Sequence, residues 1–193
     1  MPKVVTEDIG KFNQHYPRAA VIVTANACGK DGAMTAAWHS AVSLKPPLYG
    51  VAIKSERFTY QLIMEGREFA INFIPSENAS LAAAVGSISG QQTDKFEKFN
   101  IQKENPLKIA APILRDAYTA YECKLVDSKS YGDHIWVVGE IVAVHLLVEA
   151  LSAVGVLAIE RVEPLLYLGS DFYASTDKNS VRFIERGSLR QAS

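Results

Sequence analysis

The stretch MTAAWHSAVSLKPPLYGVAIKSERFT, residues 34–59, contains the pattern that decides the fold. Small and hydroxyl side chains surround a tryptophan and a histidine, a Pro-Pro pair follows, and an apolar run then ends in Lys-Ser-Glu-Arg-Phe-Thr. Because proline cannot continue a central strand, the pair separates one strand from the next. The cations and hydroxyls at the end suit an anion, although neither GxGxxG nor GxxxxGK[ST] occurs in the chain.

The segments on either side of this stretch continue the β pattern. Residues 18–27 are rich in β-branched side chains, and residues 68–75 place Phe69, Ile71 and Phe73 on one face by alternation. Gly132 and Asp133 predict a hairpin turn between two long strands. The predicted strands are residues 18–27, 33–44, 48–54, 68–75, 117–131, 133–148 and 164–169.

Helical patterns interrupt the strands at two places. Residues 58–66 carry apolar side chains at helical spacing, and Gly66 is the predicted stop. Residues 76–87 are good helix formers that follow Ser76, a candidate N-cap. Residues 88–106 are polar with little periodicity and predict a long loop with a short helical turn.

About seven strands joined mainly by short turns predict a fold that is mainly β with inserted helices. The short turns favour antiparallel neighbours, and one isolated helix between strands does not make a doubly wound βαβ series. We therefore expect a closed or nearly closed antiparallel barrel. The 193 residues predict a single domain, with a core over residues 16–169 and a mostly polar C-terminal arm over residues 170–193.

Composition excludes several functional classes. The formal net charge of −1 lacks the basic excess of most nucleic-acid-binding domains. Two cysteines do not make a disulfide framework, and reduced thiols in a cytosol are the simpler interpretation. The N-terminus lacks a signal-peptide pattern, and the longest apolar run is interrupted by Gly139, Glu140 and His145. We expect a cytoplasmic protein that binds neither nucleic acid nor membrane.

Three groups of residues are candidates for ligand binding, and each has a structural alternative. The small residues between positions 35 and 40 let a flat ring approach the backbone, with Thr35, Ala37 and His39 on one face; the alternative is tight core packing of the alanines. Lys54, Ser55, Arg57 and Thr59 lie where a strand ends and a helix begins, which suits a phosphate monoester. There the alternative is that a hydroxyl only caps the helix and the cations face solvent. The polar loop GSISGQQTDKF, residues 86–96, is the third candidate or an ordinary loop.

The four histidines show no metal-ligand spacing, and no nucleophile motif is present. His134 directly follows the predicted hairpin turn, where a side chain either faces solvent or lines the mouth of a barrel.

These pieces occur in a familiar order, and the chain resembles the flavin reductase-like family of FMN-binding split barrels, which includes small flavin reductases and flavoredoxin. The matching segments over residues 16–169 are YPRAAVIVTA, the TAAWHSAVSLKPP strand and corner, GREFAINFI, SGQQTDKF, GDHIWVVGEIVAV and YLG.

The resemblance implies a split antiparallel β-barrel that holds FMN non-covalently at the interface of a homodimer. The edge of the isoalloxazine ring would be lined by Thr35, Ala36, Ala37, Trp38, His39 and Ser40. The phosphate would be received by Lys54, Ser55, Arg57 and Thr59, and the cofactor or its substrate side would be covered by Ser89, Gln91, Asp94 and Lys95. His134 would lie near the flavin, reached from the partner subunit, and is the one candidate catalytic side chain.

The function implied is an NAD(P)H:flavin reductase that passes hydride from NADH or NADPH through FMN to flavin or another acceptor. Gln91 stands where arginine is common in relatives, which favours an alternative: a flavoredoxin-like electron carrier reduced by a protein partner. A third interpretation is a β-barrel interaction domain without a cofactor.

Overall fold

A computed structural model describes residues 1–184, in which an antiparallel β structure carries three inserted helices. The strands are β1 (Arg18–Ala19), β2 (Val21–Ala27), β3 (Lys30–Ala36), β4 (His39–Leu44), β5 (Pro47–Ile53), β6 (Glu68–Phe73), β7 (Lys103–Glu104), β8 (Ile113–Leu114), β9 (Thr119–Tyr131), β10 (His134–Leu146), β11 (Leu166–Gly169) and β12 (Phe172–Ala174). The helices are α1 (Phe58–Gly66), α2 (Ala79–Ser87) and α3 (Lys95–Lys98). None of them is long and apolar enough to cross a membrane. The prediction of a mainly β fold with inserted helices is confirmed.

Seven strands form the main sheet in the order β3-β2-β6-β9-β10-β5-β4, so β3 and β4 are its two edges. These edges are consecutive in the chain, and only Ala37 and Trp38 join them. The Trp38 carbonyl accepts a hydrogen bond from the Ala52 backbone N–H at 2.8 Å, which holds this joint against β5. The sheet therefore curls until its edges approach each other across a split.

The prediction of one strand over residues 33–44 is wrong. Ala36 still pairs with Val21 at one edge of the sheet, whereas His39 pairs with Val51 at the other edge. One continuous strand cannot pair at both edges, so the chain leaves the sheet between them. The predicted placement of Thr35 and His39 on one face of a strand is wrong for the same reason. The Thr35 hydroxyl donates a hydrogen bond to the Ala82 carbonyl on α2, whereas His39 lies among interior aromatic rings.

The core has two main parts, one inside the curled sheet and one beneath the helices. The interior cluster includes Phe69 and Ile71, and Phe73 packs against it, as the alternation predicted. The second cluster joins Ile22 and Ala33 of the sheet to Ala82, Val85 and Phe96 of the helices. Helices α2 and α3 are thus fixed on the outside of β3, beside the split.

Helix α1 has the predicted bounds, but Gly66 is not its C-cap. The left-handed residue that ends the helix is Arg67, with φ 60°. Gly66 is required for another reason, because a Cβ there would lie 2.3 Å from the Asn26 carbonyl oxygen. Ser76 begins a 3-10 turn rather than capping α2, whose N-cap is Asn78 without a side-chain cap bond.

The connecting segments agree with the sequence patterns. Residues 88–106 form the predicted loop, which contains α3 and the short strand β7. The hairpin at Gly132 and Asp133 joins β9 to β10. Beyond residue 169, β12 pairs with β11, which also pairs with β1 in a separate three-stranded sheet. The predicted arm runs on to residues 185–193, which lie outside the described residues, and the domain boundaries stay a prediction.

Candidate functional site

Two adjoining cavities open beside the split, between strand β3 and helix α2. The first, here called the cationic cavity, has a volume of about 250 Å³ and lies between the start of α1 and the loop after α2. The second, the alanine cavity, has a volume of about 330 Å³ and reaches the β11–β12 hairpin. Thr35 and Gly86 line both cavities, so the two lie side by side along α2.

The cationic cavity is built on the junction of β5 and α1. Arg57 is the N-cap of α1 and makes no side-chain cap bond, so the capping alternative for Ser55 and Thr59 does not describe this helix start. Arg57 and the buried Thr59 line the cavity. The N-terminus of nine-residue α1 adds its uncompensated N–H groups and the positive end of its dipole. Glu56 is the one carboxylate among the lining residues.

Lys95 supplies a second positive charge to the cationic cavity and is only 5% exposed. Its Nζ donates to the Ala33 carbonyl at 2.8 Å and to the Val85 carbonyl at 2.7 Å. Desolvation by burial, with repulsion from Arg57, lowers the pKa of Lys95 to about 8. Two of its three N–H donors are therefore used by the protein, and its charge has no carboxylate partner among the described ion pairs.

The other residues predicted in this loop have different positions. Ser89 lines the cationic cavity, and its hydroxyl accepts a hydrogen bond from the Gln91 N–H at 3.3 Å. Gln91 is exposed and does not line either cavity. Asp94 is the N-cap of α3, where its carboxylate accepts hydrogen bonds from the N–H groups of Phe96 and Glu97. Asp94 thus orients Lys95 instead of facing the cavity.

The alanine cavity has small walls on one side and aromatic side chains on the other. Ala36 and Ala37 from the end of β3 and Ala82 and Ala83 from α2 form the small side. Three residues of the β11–β12 hairpin that the sequence analysis missed, Tyr167, Asp171 and Tyr173, form the opposite side. The two tyrosine rings lie 5.2 Å apart. The aromatic residues of YLGSDFY were their only signal in the sequence, because their position depends on a hairpin between the predicted strand at residues 164–169 and the predicted polar arm.

The remaining residues of the 35–40 segment do not share one environment. His39 is held by the Tyr49 hydroxyl at 2.7 Å and the Ala19 carbonyl at 2.9 Å, and burial lowers its pKa. Ser40 is exposed and donates to the Ala41 carbonyl. Trp38 lies outside the barrel, with its ring centroid 4.7 Å from that of His134.

Lys54 is connected to His134 rather than to the cationic cavity. Its Nζ lies 3.2 Å from Asp133 Oδ2, and the other oxygen of Asp133 lies 2.7 Å from His134 Nδ1. These contacts to His134 and Lys54 lower the pKa of the exposed Asp133 carboxyl. Ser55 in the same turn is exposed and lines neither cavity. The structure thus brings together Arg57 and Thr59 of the predicted phosphate group and separates Lys54 and Ser55 from them.

The two cavities fit a ligand that combines a flat ring with an anionic tail. Arg57, Lys95 and the helix start give one end a positive potential, and the alanines and tyrosines give the other end a slot. Among residues 1–184 no group of three or more His, Cys, Asp or Glu side chains is placed to hold a metal ion. The positive end and the small-walled slot together suit an organic anion.

Comparison with known proteins identifies the family. The flavin reductase like domain matches residues 13–176. The chain belongs to the flavin reductase-like family. The resemblance proposed from the sequence motifs is thus confirmed, and with it the split-barrel architecture.

Relatives of this flavin reductase-like chain include proteins with and without an assigned activity. An uncharacterized protein of Aeropyrum pernix is 34% identical over 155 residues, which are 80% of this chain and 58% of that protein. An FMN reductase (NADH) of Acinetobacter baylyi is 27% identical over 114 residues, 59% of this chain and 58% of that protein. The FMN-binding protein from Thermus thermophilus, solved with bound 1-cyclohex-2-enone, is 28% identical with a TM-score of 0.82, covering 96% of this chain and 99% of that chain.

Proposed function

We propose that this protein is an FMN-dependent oxidoreductase that takes hydride from NADH or NADPH and passes electrons to free flavin or another acceptor. The observation that carries the proposal is the pair of adjoining cavities, one cationic and one with small and aromatic walls. Family membership and the FMN-binding relative from Thermus thermophilus support the choice of ligand.

The cationic cavity would hold the phosphate of FMN. Arg57 can donate two parallel hydrogen bonds to phosphate oxygens, and its side chain has no partner in the described ion pairs that would compete. Lys95 has one N–H left for the ligand after its two backbone contacts. Thr59 and Ser89 add hydroxyl groups to the same lining. A phosphate here would also compensate the buried charge of Lys95, which is costly without an anion.

The alanine cavity would hold the ring. The small side chains of Ala36 and Ala37 let a flat ring approach β3. Strand β3 is an edge of the sheet, so its outward N–H and C=O groups have no second strand to pair with. Tyr167 and Tyr173 would exclude water from the other side. Bound flavin supplies the redox chemistry, and the residues of this chain bind and orient it.

The electron donor separates two versions of the proposal. The Acinetobacter relative, named an FMN reductase (NADH), supports a nicotinamide donor. The alternative is a flavoredoxin-like carrier that a protein reduces. Gln91 favours it, because a glutamine side chain places no positive charge at the exposed tip of the loop. Steady-state oxidation of NADH and NADPH with excess FMN distinguishes them: turnover supports the reductase, and reduction only by a protein donor supports the carrier.

We also propose that the working form is a cytoplasmic homodimer. An apolar groove of about 710 Å³ runs beside Tyr121, Ile141 and Leu157. Strand β10 next to it exposes Val144, and the edge strand β4 exposes Val42 and Leu44. Exposed apolar surface on an edge of a sheet is typical of an interface. Sedimentation of the purified protein tests this, and a monomer at micromolar concentration would contradict it.

The central experiment is a flavin titration. The purified protein, stripped of any flavin, is titrated with FMN and with riboflavin, which lacks the phosphate. We expect FMN to bind and riboflavin to bind at least tenfold more weakly, because the phosphate contacts are charge-assisted. A protein that binds neither flavin would overturn the proposal.

A further inference from the structure

The amine of Lys95 differs from every other lysine amine in the chain. No lysine lies among residues 185–193, and Lys95 is the one buried lysine of residues 1–184. Buried cations are normally paired with a carboxylate, and Lys95 has no such partner among the described ion pairs. An amine in this environment gives up its proton more readily than an exposed amine, because its charged form is poorly solvated.

Two backbone contacts orient the nitrogen of Lys95. Its Nζ lies 2.8 Å from the carbonyl oxygen of Ala33 on β3 and 2.7 Å from that of Val85 on α2. A neutral amine has two N–H donors and one lone pair, and these two hydrogen bonds engage both donors. The lone pair then takes the remaining position on the nitrogen, which the protein leaves open to the cationic cavity. A desolvated lysine amine with a free lone pair is a nucleophile.

The charges around the amine decide which electrophile fits. Arg57 and the N-terminus of α1 are the positive groups of the cavity, and Glu56 is an exposed carboxylate beside them. Helix α2 carries no titratable side chain, and the Asp94 carboxylate is engaged in capping α3. Asp31 of β3 is paired with a lysine outside the cavity. An adduct with a negative charge is therefore stabilised here, whereas a neutral imine formed with an aldehyde gains nothing from these cations.

Carbon dioxide satisfies both the charge and the access of this site. It is small, linear and uncharged, so it can reach a side chain that is only 5% exposed, and its adduct with an amine is an anion. We propose that Lys95 of the flavin-free protein is a binding site for carbon dioxide, at which the amine forms a carbamate held by Arg57 and the start of α1. Formation of the carbamate does not depend on the proposed function, whereas its competition with the phosphate of FMN rests on it.

The reaction needs neither an oxidant nor a reductant. The lone pair of the Lys95 nitrogen attacks the carbon of carbon dioxide, an N–C bond forms, and the electron pair of one C=O π bond moves onto oxygen. One of the two protons on the nitrogen then leaves to water, so the carbamate keeps a single N–H. This N–H retains the hydrogen bond to one backbone carbonyl and the other bond is lost. Charge-assisted hydrogen bonds from Arg57 to the carbamate oxygens offset that loss.

Carbon-13 NMR of the flavin-free protein, equilibrated with labelled bicarbonate at pH 8, tests the proposal. At this pH about half of the Lys95 side chains carry no proton. The N-terminal amine also reacts with carbon dioxide, so the resonance of interest is the one that Lys95→Arg removes. Arginine keeps the positive charge and has no nucleophilic amine. Lys98→Arg, at an exposed lysine of the same helix, is the matched control and should leave the spectrum unchanged.

Chemical trapping locates the carbamate without any variant. Triethyloxonium converts carbamates to stable ethyl esters, and mass spectrometry of the peptides then reports the carbon-13 label at each lysine. We expect Lys95 to carry roughly fivefold more label than any exposed lysine. Arg57→Gln should lower the label at Lys95 by about tenfold, as for loss of a charge-assisted hydrogen bond.

Three results would overturn Lys95 as the site: a carbon-13 spectrum that Lys95→Arg does not change, no label at Lys95, or equal labelling of the exposed lysines. A label at Lys95 that Arg57→Gln does not lower would overturn the role of Arg57.

Flavins separate this inference from the proposed function. Saturating FMN should abolish the Lys95 carbamate, because its phosphate would fill the same cavity, and riboflavin should not. A carbamate that persists with FMN bound would place the phosphate elsewhere and leave the carbamate site standing. A protein that binds FMN but forms no carbamate at Lys95 would contradict the carbamate site alone.

Discussion

The ammonium group of Lys95 donates a hydrogen bond to the carbonyl oxygen of Ala33 at 2.8 Å, inside the wall of the cationic cavity. A second hydrogen bond to Val85 ties the same side chain to the last turn of α2. Lys95 therefore connects the long loop to an edge strand and a helix while it keeps a buried positive charge beside the proposed phosphate site.

The first prediction concerns pH and the stability of the flavin-free protein. The pKa of Lys95 falls from 10.5 to about 8 on folding. Between these values the unfolded chain binds more protons than the folded chain, so stability rises with pH. We expect the free energy of unfolding of the wild type to gain up to about 3 kcal/mol relative to Lys95→Met between pH 8 and 10. Urea unfolding of both proteins at several pH values measures this, and parallel curves would contradict it.

The second prediction concerns pH and flavin binding. An anion favours the protonated form of Lys95, so FMN affinity should fall by about tenfold as pH rises above 8. Riboflavin affinity should not change over the same interval, because it has no phosphate. Fluorescence titrations of both ligands at pH 7 and 9 measure the difference. A fall that is equal for the two ligands would show that Lys95 does not interact with the phosphate.

The third prediction separates the two cations of the predicted phosphate group. Arg57 lines the cationic cavity, whereas Lys54 is paired with Asp133. We expect Arg57→Ala to weaken FMN binding by at least tenfold, since charge-assisted hydrogen bonds contribute about 1.5–3 kcal/mol each. Lys54→Ala should have a smaller effect. Arg115→Ala, an exposed arginine outside both cavities, is the matched control. Equal losses for Arg57 and Lys54 would mean that the phosphate lies elsewhere.

The fourth prediction concerns a buried carboxylate away from the site. Glu122 accepts hydrogen bonds from the N–H groups of Leu107 and Lys108, each at 2.6 Å, and lies 2.5 Å from His145 Nε2. Burial raises the pKa of Glu122, but these hydrogen bonds outweigh burial, and the net pKa is lowered. Its contribution to stability is present above the ordinary glutamate pKa and is lost as pH falls below it.

We therefore expect Glu122→Gln to lower the free energy of unfolding at pH 7 by about 1–3 kcal/mol. The difference from the wild type should shrink toward pH 3. Glu140→Gln, at an exposed carboxylate on β10, is the control and should be neutral. A difference that does not change with pH would show that the charge of Glu122 is not involved.

The fifth prediction concerns the packing of the Trp136 indole against Gly50 of β5. An alanine at Gly50 places its Cβ 2.2 Å from the indole, so the ring must move away from the strand. Gly50→Ala should destabilise the fold by about 1–3 kcal/mol and shift tryptophan emission to longer wavelength as the indole meets water. Gly132→Ala is the control. Its Cβ would have no atom within 4 Å, so any loss of stability there comes only from strain at the positive φ. An unshifted emission spectrum in Gly50→Ala would contradict the packing of Trp136.

The sequence was sufficient for features that depend on local chemistry. The alternation of Phe69, Ile71 and Phe73 predicted β6 and its buried face, and Gly132-Asp133 predicted the β9–β10 hairpin. Both depend on neighbours within a few residues, which are visible as a pattern. The order of the motifs then identified the family.

Features that depend on distant neighbours were not predictable from pattern. Nothing local indicates that Ala36 and His39 pair at opposite edges of one sheet, so a single strand was the natural expectation. Tyr167 and Tyr173 reach the alanine cavity only because β11 pairs with β1 and β12. Asp94 resembles a ligand residue in the motif SGQQTDKF, but its carboxylate caps α3.

The joint at Ala37 and Trp38 also limits how the architecture can diverge. Three Cα–Cα steps of about 3.8 Å separate Ala36 from His39, so the two edges cannot lie more than about 11 Å apart at this end of the split. Covalent length thus limits the opening at this end, whereas the loop at residues 88–106 and the tip of the β9–β10 hairpin are not bound by this limit. A change of length in either of those segments would therefore reshape the surroundings of the cavities without widening the gap between Ala36 and His39.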